Sequence, residues 1–139
     1  MKTETLNRIL SQCDISKGVV LIPGKAVYIK KRSLLKNNKG KIYRSECYEY
    51  IVLLHEGKRV GGIHFYGNHD LHLVIFKKYR GQHFMSSFLK TGWIRKIKPD
   101  LKALSTLYKP RVDPEYKAIR RFAKILKVRL ERAESWWRH

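Results

Sequence analysis

The run from Leu71 to Phe76 is apolar at nearly every position, and this feature most restricts the folds open to the chain. A strand that is apolar on both faces usually lies inside a sheet that is covered on both sides. Two further apolar runs precede it, Tyr48 to Leu54 and Val60 to Tyr66, and a Glu-Gly-Lys turn separates them. Gly57 in that turn supplies the positive φ that a short hairpin loop requires. The sequence therefore predicts a three-stranded antiparallel meander.

After this meander the spacing of apolar residues changes from that of a strand to that of a helix. One helix face is predicted by Phe84, Met85, Phe88, Leu89 and Trp93, and Pro99-Asp100 ends that helix. Leu101 to Tyr108 is predicted as the next strand. Asp113 is predicted as the N-cap of a last helix that has Pro114 at its first position. The apolar face of this helix is formed by Ala118, Ile119, Phe122, Ala123 and Leu126.

These elements predict an α/β fold with a mixed, mostly antiparallel sheet flanked by helices. Its C-terminal half has the order strand, helix, strand, helix, and the crossover is expected to be right-handed. The length of 139 residues fits one domain, although the N-terminal third, residues 1–44, is poorly assigned. A short helix through Leu6, Ile9 and Leu10 is predicted to open the chain. Val19 to Ile22 and Ala26 to Ile29 are predicted as two strands or one bent strand.

The remaining segments carry weaker patterns. Lys30 to Lys41 is predicted as a basic, turn-rich loop, because it contains little that could be buried. The tail from Val128 to His139 is expected to add a strand before it frays. Cys13 and Cys47 form no metal-ligand pattern and are predicted to be free thiols of an intracellular protein.

The charge of the chain restricts its partners. Lys and Arg number 31 against 11 Asp and Glu, which gives a net charge of +20. Such an excess attracts nucleic acid, a nucleotide cofactor, an anionic membrane or an acidic protein, and charge alone does not choose among them. No apolar run reaches the length of a membrane span, and the N-terminus lacks the apolar stretch of a signal peptide. The sequence therefore predicts a cytoplasmic protein with no membrane partner.

The most informative segment for chemistry is the junction between the apolar strand and the next helix, residues 75–85. A loop that enters a helix N-terminus presents unpaired backbone N–H groups, which can bind phosphate. Lys77, Lys78 and Arg80 add positive charge, and Gly81 lets the backbone approach a ligand closely. The alternative interpretation, a plain turn with solvated basic side chains, fits this short segment equally well.

This junction resembles the cofactor-binding segment of the GNAT superfamily, the acetyl-CoA-dependent N-acetyltransferases. The family pattern is a strand ending in Val-x-Pro-x-Tyr-Arg-Gly, followed by Gln/Arg-x-x-Gly-x-Gly/Ala at the start of a helix. The matching residues are Ile75, Tyr79, Arg80, Gly81 and Gln82, and Lys77 stands where Pro is usual. Residues 114–128 are similar to the last helix of the family, and residues 56–62 to its second and third strands. The resemblance covers roughly residues 45 to 130.

The chain departs from the family pattern at several positions. His83 and Met85 stand in the phosphate loop in place of family glycines, and Lys127 does so before the final apolar residue. Tyr116 stands for the Asn of the last helix. The resemblance thus identifies the chain as a divergent member, in keeping with an origin in a phage or mobile element.

The resemblance implies a set of cofactor-binding residues for acetyl-CoA. Backbone N–H groups from Gln82 to Met85 would hold the pyrophosphate, with help from the Arg80 side chain. A backbone N–H near Val74 to Phe76 would polarise the thioester carbonyl. The implied cofactor-binding residues are Val74, Ile75, Phe76, Arg80, Gly81, Gln82, His83, Phe84, Met85 and Phe122.

The resemblance also implies an acid and a base. The base candidates are His72, then Glu49 and Asp70, while Tyr116 is the first candidate acid and Tyr108 the second. For each of these side chains a structural role, as a partly buried His or a packing Tyr, is the competing interpretation.

Three functions follow from these observations. The first is an N-acetyltransferase that transfers an acetyl group to an amine of an unidentified acceptor, which could be a protein, an RNA-associated group or a small molecule. The second is a catalytically inactive basic module that binds nucleic acid or an acidic protein through Lys30 to Lys41, Arg120, Arg121 and the tail. The third is a small inhibitor from a phage or mobile element that targets a host protein.

Overall fold

A computed structural model of the chain describes residues 3–22, 25–66, 70–106 and 108–132. The helices are α1 (Thr3–Gln12), α2 (Phe84–Leu89), α3 (Trp93–Ile97) and α4 (Glu115–Leu126). The strands are β1 (Val19–Ile22), β2 (Ala26–Lys36), β3 (Ile42–His55), β4 (Lys58–Tyr66), β5 (Asp70–Ile75), β6 (Ala103–Thr106) and β7 (Arg129–Arg132). The architecture is therefore mixed α/β with a mostly antiparallel sheet flanked by helices, as the sequence predicts.

Strands β1 to β5 form one antiparallel sheet in which each strand pairs with the next along the chain. Because side chains alternate between the faces of a strand, this sheet builds two cores. On one face Val27, Ile29, Tyr50 and Val52 pack with Leu10 of α1. On the other face the larger core joins β3, β4 and β5 to α2, α3, α4 and β6.

Two adjacent glycines in β4 allow its neighbours to approach closely. A Cβ atom on Gly61 would lie 2.2 Å from the Val74 carbonyl oxygen of β5, and one on Gly62 would lie 2.3 Å from the Ile51 carbonyl oxygen of β3. Real Cβ atoms do not approach other atoms so closely, so neither position accommodates a side chain without movement of the backbone. This close approach fixes the position of β5, the strand that leads to the junction.

The C-terminal half forms a second, smaller sheet. Strands β6 and β7 pair in parallel, and α4 connects them. Strand β6 lies beside β5, yet in the described part of the chain the two strands belong to different sheets. In the described part of the chain the five-stranded sheet thus ends at β5.

Several predicted elements differ from those in the structure. The meander has five strands rather than three, and Lys30 to Lys36 belongs to β2 rather than to a loop, because it pairs with the first half of β3. The single helix predicted through Phe84 and Trp93 is two helices, since Gly92 adopts φ 83° between α2 and α3. Left-handed φ values interrupt a right-handed helix.

The predicted N-cap of α4 is also wrong. Pro114 occupies that position, and the Asp113 carboxylate instead accepts a hydrogen bond of 2.6 Å from the Lys109 N–H. This bond closes the turn before the helix, and the described hydrogen bonds include none from the first turn of α4 to the Asp113 side chain.

Other predicted features agree with the structure or lie outside its description. Gly57 has φ 76°, as its hairpin position requires, and β7 is the strand expected in the tail. Residues 133–139, with both tail tryptophans, lie outside the described residues, as do residues 23–24 and 67–69. None of the helices in the described ranges has the length and apolar character needed to cross a bilayer.

Candidate functional site

A cavity of about 250 Å³ lies where β5, the loop that follows it, α2 and α4 meet. From β5 and its loop the lining residues are Leu73, Val74, Ile75, Tyr79, Arg80, Gly81 and His83. From α2 and the C-terminal half they are Phe84, Met85, Ser86, Tyr108, Glu115, Ala118, Ile119, Arg121 and Phe122. The spacing of Glu115, Ala118, Ile119 and Phe122 is that of one helix face, so α4 presents a single side to the cavity.

The loop after β5 is held in shape by its own backbone. A single 3₁₀ turn covers Lys77–Tyr79, in which the Tyr79 N–H donates to the Phe76 carbonyl at 2.8 Å. Gly81 and His83 follow with φ values of 83° and 63°. For a residue with a side chain the left-handed region costs roughly 1–2 kcal/mol, so the loop holds His83 in a conformation that suits glycine better.

This loop leaves donors available for a ligand. The backbone N–H groups of Gly81 to Met85 find no acceptor among the described residues. The Arg80 Nε donates to the Ile75 carbonyl oxygen at 2.9 Å, which holds the exposed guanidinium at the mouth of the cavity. A Cβ built on Gly81 would meet nothing within 4 Å, so the space beside this glycine is open. Open space, amide donors and a fixed guanidinium together suit an anionic group.

The edge of β5 adds a donor inside the cavity. The Phe76 N–H points toward β4, where it donates to the Val60 carbonyl at 2.9 Å. Successive residues of a strand direct their N–H groups to opposite edges, so the Ile75 N–H points away from β4. The bond from Arg80 to the Ile75 carbonyl agrees with this orientation. Ile75, and not Phe76, therefore directs its N–H to the edge of β5 opposite β4, and Ile75 lines the cavity.

Aromatic side chains and cations form the rim. Phe84 contacts Tyr79 edge to face at 6.3 Å and packs on His55 at 4.8 Å between ring centroids. Lys78 lies over the Tyr79 ring, with its Nζ 5.1 Å from the centroid. Arg121 of α4 is exposed on the opposite wall. The cavity thus has a largely apolar lining with the cations Arg80 and Arg121 exposed at its wall, and apolar pockets with a few polar groups are typical of ligand sites.

Comparison with protein-family models, curated proteins and solved structures gives no match. The assignment of this site therefore depends on its geometry.

The structure brings most of the predicted cofactor-binding residues together. All of them line the cavity except Phe76 and Gln82. Phe76 packs against the core that includes Leu10 on the other face of the sheet, and Gln82 is exposed. His83 and Met85 both lie in the wall, and the cavity stays open beside them.

Of the predicted bases, His72 and Glu49 lie outside the lining of the cavity. His72 is half-buried and pairs across the strands with His64, on the face of β5 that carries Val74. Asp70 begins β5, and its side chain lies outside the described part of the structure. His72 is not among the residues that line the cavity.

Glu49 belongs to a partly buried ion pair with Lys98 on the face of the larger core. It accepts a hydrogen bond from the Tyr28 hydroxyl and one of 2.7 Å from the Lys98 Nζ. Burial alone would raise the pKa of Glu49, but the bonds from Lys98 and Tyr28 and the charges of Lys98 and Lys30 outweigh it and lower that pKa. The pKa of Tyr28 is raised, first by burial and then by its bond to Glu49. A carboxylate with a lowered pKa and two partners is a poor proton acceptor.

Of the two candidate acids, one lines the cavity and the other does not. Tyr116 is half-buried one residue past the start of α4 and is absent from the lining, whereas Tyr108 belongs to it. Glu115 lies on the cavity face of α4, and the sequence analysis overlooked it. Its position three residues before Ala118 and seven before Phe122 could have indicated this, because residues at these spacings share a helix face.

Proposed function

We propose that the protein is an N-acetyltransferase of the GNAT type that binds acetyl-CoA in the cavity between β5, α2 and α4. The observation that carries this proposal is the cavity beside β5, which the predicted cofactor-binding residues line almost completely. A volume of about 250 Å³ is too small for a whole nucleotide thioester but suits its narrow acyl arm. The anionic part of the ligand would then lie at the basic mouth.

Different residues around the cavity would bind different parts of acetyl-CoA. The amides of Gly81 to Met85 and the Arg80 guanidinium would hold the pyrophosphate. Helix α2 has six residues, so its dipole contributes little and the amides and the charges of Lys77, Lys78 and Arg80 dominate. The apolar side chains of Ile75, Ile119 and Phe122 would pack against the acyl arm.

The same geometry suggests how transfer proceeds. Acetyl-CoA supplies an activated thioester carbonyl, and the Ile75 N–H would polarise it from the edge of β5. The Tyr108 hydroxyl is the candidate donor of a proton to the departing thiolate. His83 and Glu115 are the lining side chains that can accept a proton from the incoming amine. These roles replace those predicted for His72, Glu49 and Tyr116, which lie outside the lining.

Calorimetric titration with acetyl-CoA tests the proposal. Saturable binding is expected, and Arg80→Ala should weaken it roughly tenfold or more, since a charge-assisted hydrogen bond is lost. Lys117→Ala is the matched control, because Lys117 is an exposed cation of α4 outside the cavity lining. The absence of saturation at millimolar acetyl-CoA would contradict the proposal.

A second variant tests the cavity without a change of charge. Ala118 lines the wall, so Ala118→Leu should fill the space of the acyl arm and reduce affinity while thermal unfolding shows an intact fold. If Ala118→Leu binds acetyl-CoA as well as the parent protein does, the ligand lies elsewhere.

A binding module without catalysis is the second candidate function. The observation that favours it is that His72, Glu49 and Tyr116 lie outside the cavity lining, so the residues first expected to transfer protons do not meet there. Acetyl-CoA that binds but gives no thiol release with primary amines, polyamines or lysine peptides would support this candidate. Loss of thiol release in Tyr108→Phe with binding retained would instead support the enzyme.

A further inference from the structure

The first half of β3 and the second half of β2 form a ribbon that extends beyond the sheet. Strand β1 pairs with β2 only as far as Tyr28, and β4 pairs with β3 only as far as Glu49. Between these limits and the turn, residues 30–36 and 42–48 pair with each other alone among the described residues. We call residues 30–48 the arm. At about 3.3 Å per residue its strands project roughly 20 Å.

The arm is pre-organised at its tip. The Asn37 side chain accepts hydrogen bonds of 2.9 Å from the N–H groups of Lys39 and Lys41, and the Asn37 N–H donates to the Lys41 carbonyl at 2.9 Å. Gly40 supplies φ 77° within the same turn. A ribbon with so defined a turn loses little conformational freedom when it binds.

The arm is strongly cationic. It contains seven Lys and Arg residues and one acidic residue, Glu46. All seven cations are exposed: Lys30, Lys31, Arg32, Lys36, Lys39, Lys41 and Arg44. The apolar side chains near its tip are exposed as well, since Leu34, Ile42 and Tyr43 retain 48%, 50% and 66% of their accessible surface. Such exposure of charge and apolar surface together is typical of a binding element.

The cations lie on both faces of the ribbon. Because side chains alternate along a strand, Lys30 and Arg32 lie on the same face of β2 as Tyr28. This face is the one that packs against the larger core. Lys31 lies on the face of Ile29, and Arg44 shares that face because it pairs with Leu35. A flat anionic surface would contact only one of these faces. A groove with phosphates along both walls would contact both.

We propose that the arm enters the major groove of double-stranded DNA. This groove is about 12 Å wide in B-form DNA and admits a two-stranded β-ribbon, whereas the corresponding groove of A-form RNA is too narrow for side chains to enter. The cations of the two faces bind the phosphates of the two walls, and the exposed Tyr43 and Ile42 near the tip contact base edges. This inference does not depend on acetyl-CoA binding, because none of the arm residues whose side chains are described lines the cavity.

Fluorescence anisotropy with a labelled 20-base-pair DNA duplex in increasing NaCl tests the proposal. Each phosphate contact contributes about 0.9 to the slope of log affinity against log salt concentration. The variant with Arg32→Ala, Lys36→Ala and Lys41→Ala should therefore bind roughly tenfold or more weakly at low salt, with a slope smaller by about 3. The matched control is Lys102→Ala, Lys117→Ala and Arg120→Ala, three exposed cations outside the arm. Equal losses in the two triple variants would overturn the proposal.

Single substitutions on the two faces distinguish a groove from a flat surface. Arg32→Ala and Lys31→Ala should each reduce the salt slope by about 1, because each removes a contact with one wall. A reduction in one of these variants and none in the other would overturn insertion in a groove.

Protection of Cys47 from chemical modification tests the proposal while every cation of the arm is kept. Cys47 is exposed and pairs with Arg32 across the ribbon. In a Cys13→Ser background, saturating duplex DNA should slow maleimide modification of Cys47 at least several-fold. Unchanged modification would contradict the proposal, as would tighter arm-dependent binding to an RNA duplex, to phosphatidylserine vesicles or to polyglutamate than to DNA.

Discussion

His64 is a titratable residue in a place where it cannot easily acquire charge. It is 4% exposed in β4 and stacks on Tyr50 at 4.8 Å, with His72 as its cross-strand neighbour on β5. Burial lowers the pKa of His64 from 6.5 to about 4. Because burial penalises the charged form, the folded protein keeps this imidazole neutral at a pH where an unfolded chain protonates it.

The lowered pKa of His64 predicts a loss of stability in mild acid. Between pH 6.5 and pH 4 the unfolded state binds a proton that the folded state does not, so the free energy of unfolding falls as the pH decreases. The loss between pH 7 and pH 4.5 should be on the order of 2 kcal/mol in urea unfolding. His64→Gln should remove this part of the pH dependence.

Above pH 4.5 the ion pair of Glu49 should contribute little to the pH dependence of the free energy of unfolding. Because the pKa of Glu49 lies below 4.5 in the folded protein, the stability that this carboxylate contributes is lost only as the pH falls below that value. Parallel curves for the parent protein and His64→Gln above pH 4.5 would show that His64 does not control the acid sensitivity.

At the scale of elements, Arg95 joins three parts of the C-terminal half. From α3 it donates to the Leu101 carbonyl at 2.5 Å, just before β6, and to the Leu126 carbonyl at 2.7 Å, at the end of α4. A weaker bond of 3.4 Å reaches the Lys127 carbonyl. Carbonyl groups at a helix end have no partner within the helix, so the guanidinium supplies one.

Arg95→Ala should therefore destabilise the protein. Hydrogen bonds from a charged donor contribute about 1.5–3 kcal/mol, and the substitution leaves partly buried carbonyls without a donor. We expect a loss of roughly 2–4 kcal/mol in chemical unfolding. Arg129→Ala should cost less than about 1 kcal/mol, since Arg129 is 74% exposed in an ion pair with Glu131. Similar losses in the two variants would mean that Arg95 is not the link between these elements.

The sequence predicts those elements whose apolar pattern and end residues lie within the segment itself. The β3–β4 hairpin, β5 and α4 follow from an apolar period with a turn or breaker at each end, and the structure contains all three. Strand β2 is longer than predicted because Lys30 to Lys36 has no apolar alternation, and its extended form depends on pairing with β3. Pairing of that kind is not visible within the segment itself.

The break between α2 and α3 is likewise not predicted by the local apolar pattern. The apolar period continues from Phe88 to Trp93, so periodicity alone favours one helix. The left-handed φ of Gly92 interrupts it, and a glycine within a periodic segment permits but does not require such a break.

At the scale of the whole molecule, the sequence predicts one wall of the candidate site better than the residues opposite it. The loop after β5 is contiguous, so Arg80, Gly81 and His83 could be named together from one segment. The proposed acid and base come from distant segments, and their selection depends on which face of β5 and α4 meets the cavity. Side-chain direction assigns Glu115 and Tyr108 to the wall and His72 to the other side of the sheet.

The net charge of +20 predicts how salt affects the fold. Repulsion among like charges opposes the compact state, and added ions screen it. The melting temperature should therefore rise by roughly 2–8 °C between 10 and 300 mM NaCl, which corresponds to about 1 kcal/mol in a chain of this size. A melting temperature that falls over this range would show that surface ion pairs outweigh the repulsion.

Strands β5 and β6 form the boundary between the two sheets of the molecule. In the described ranges β5 and β6 belong to different sheets, and apolar side chains of both strands pack in the larger core. Apolar contacts are non-directional and yield to small displacements, while a ladder resists them. We therefore expect a relative displacement of β5 and β6 to cost less than a displacement between two strands of the five-stranded sheet.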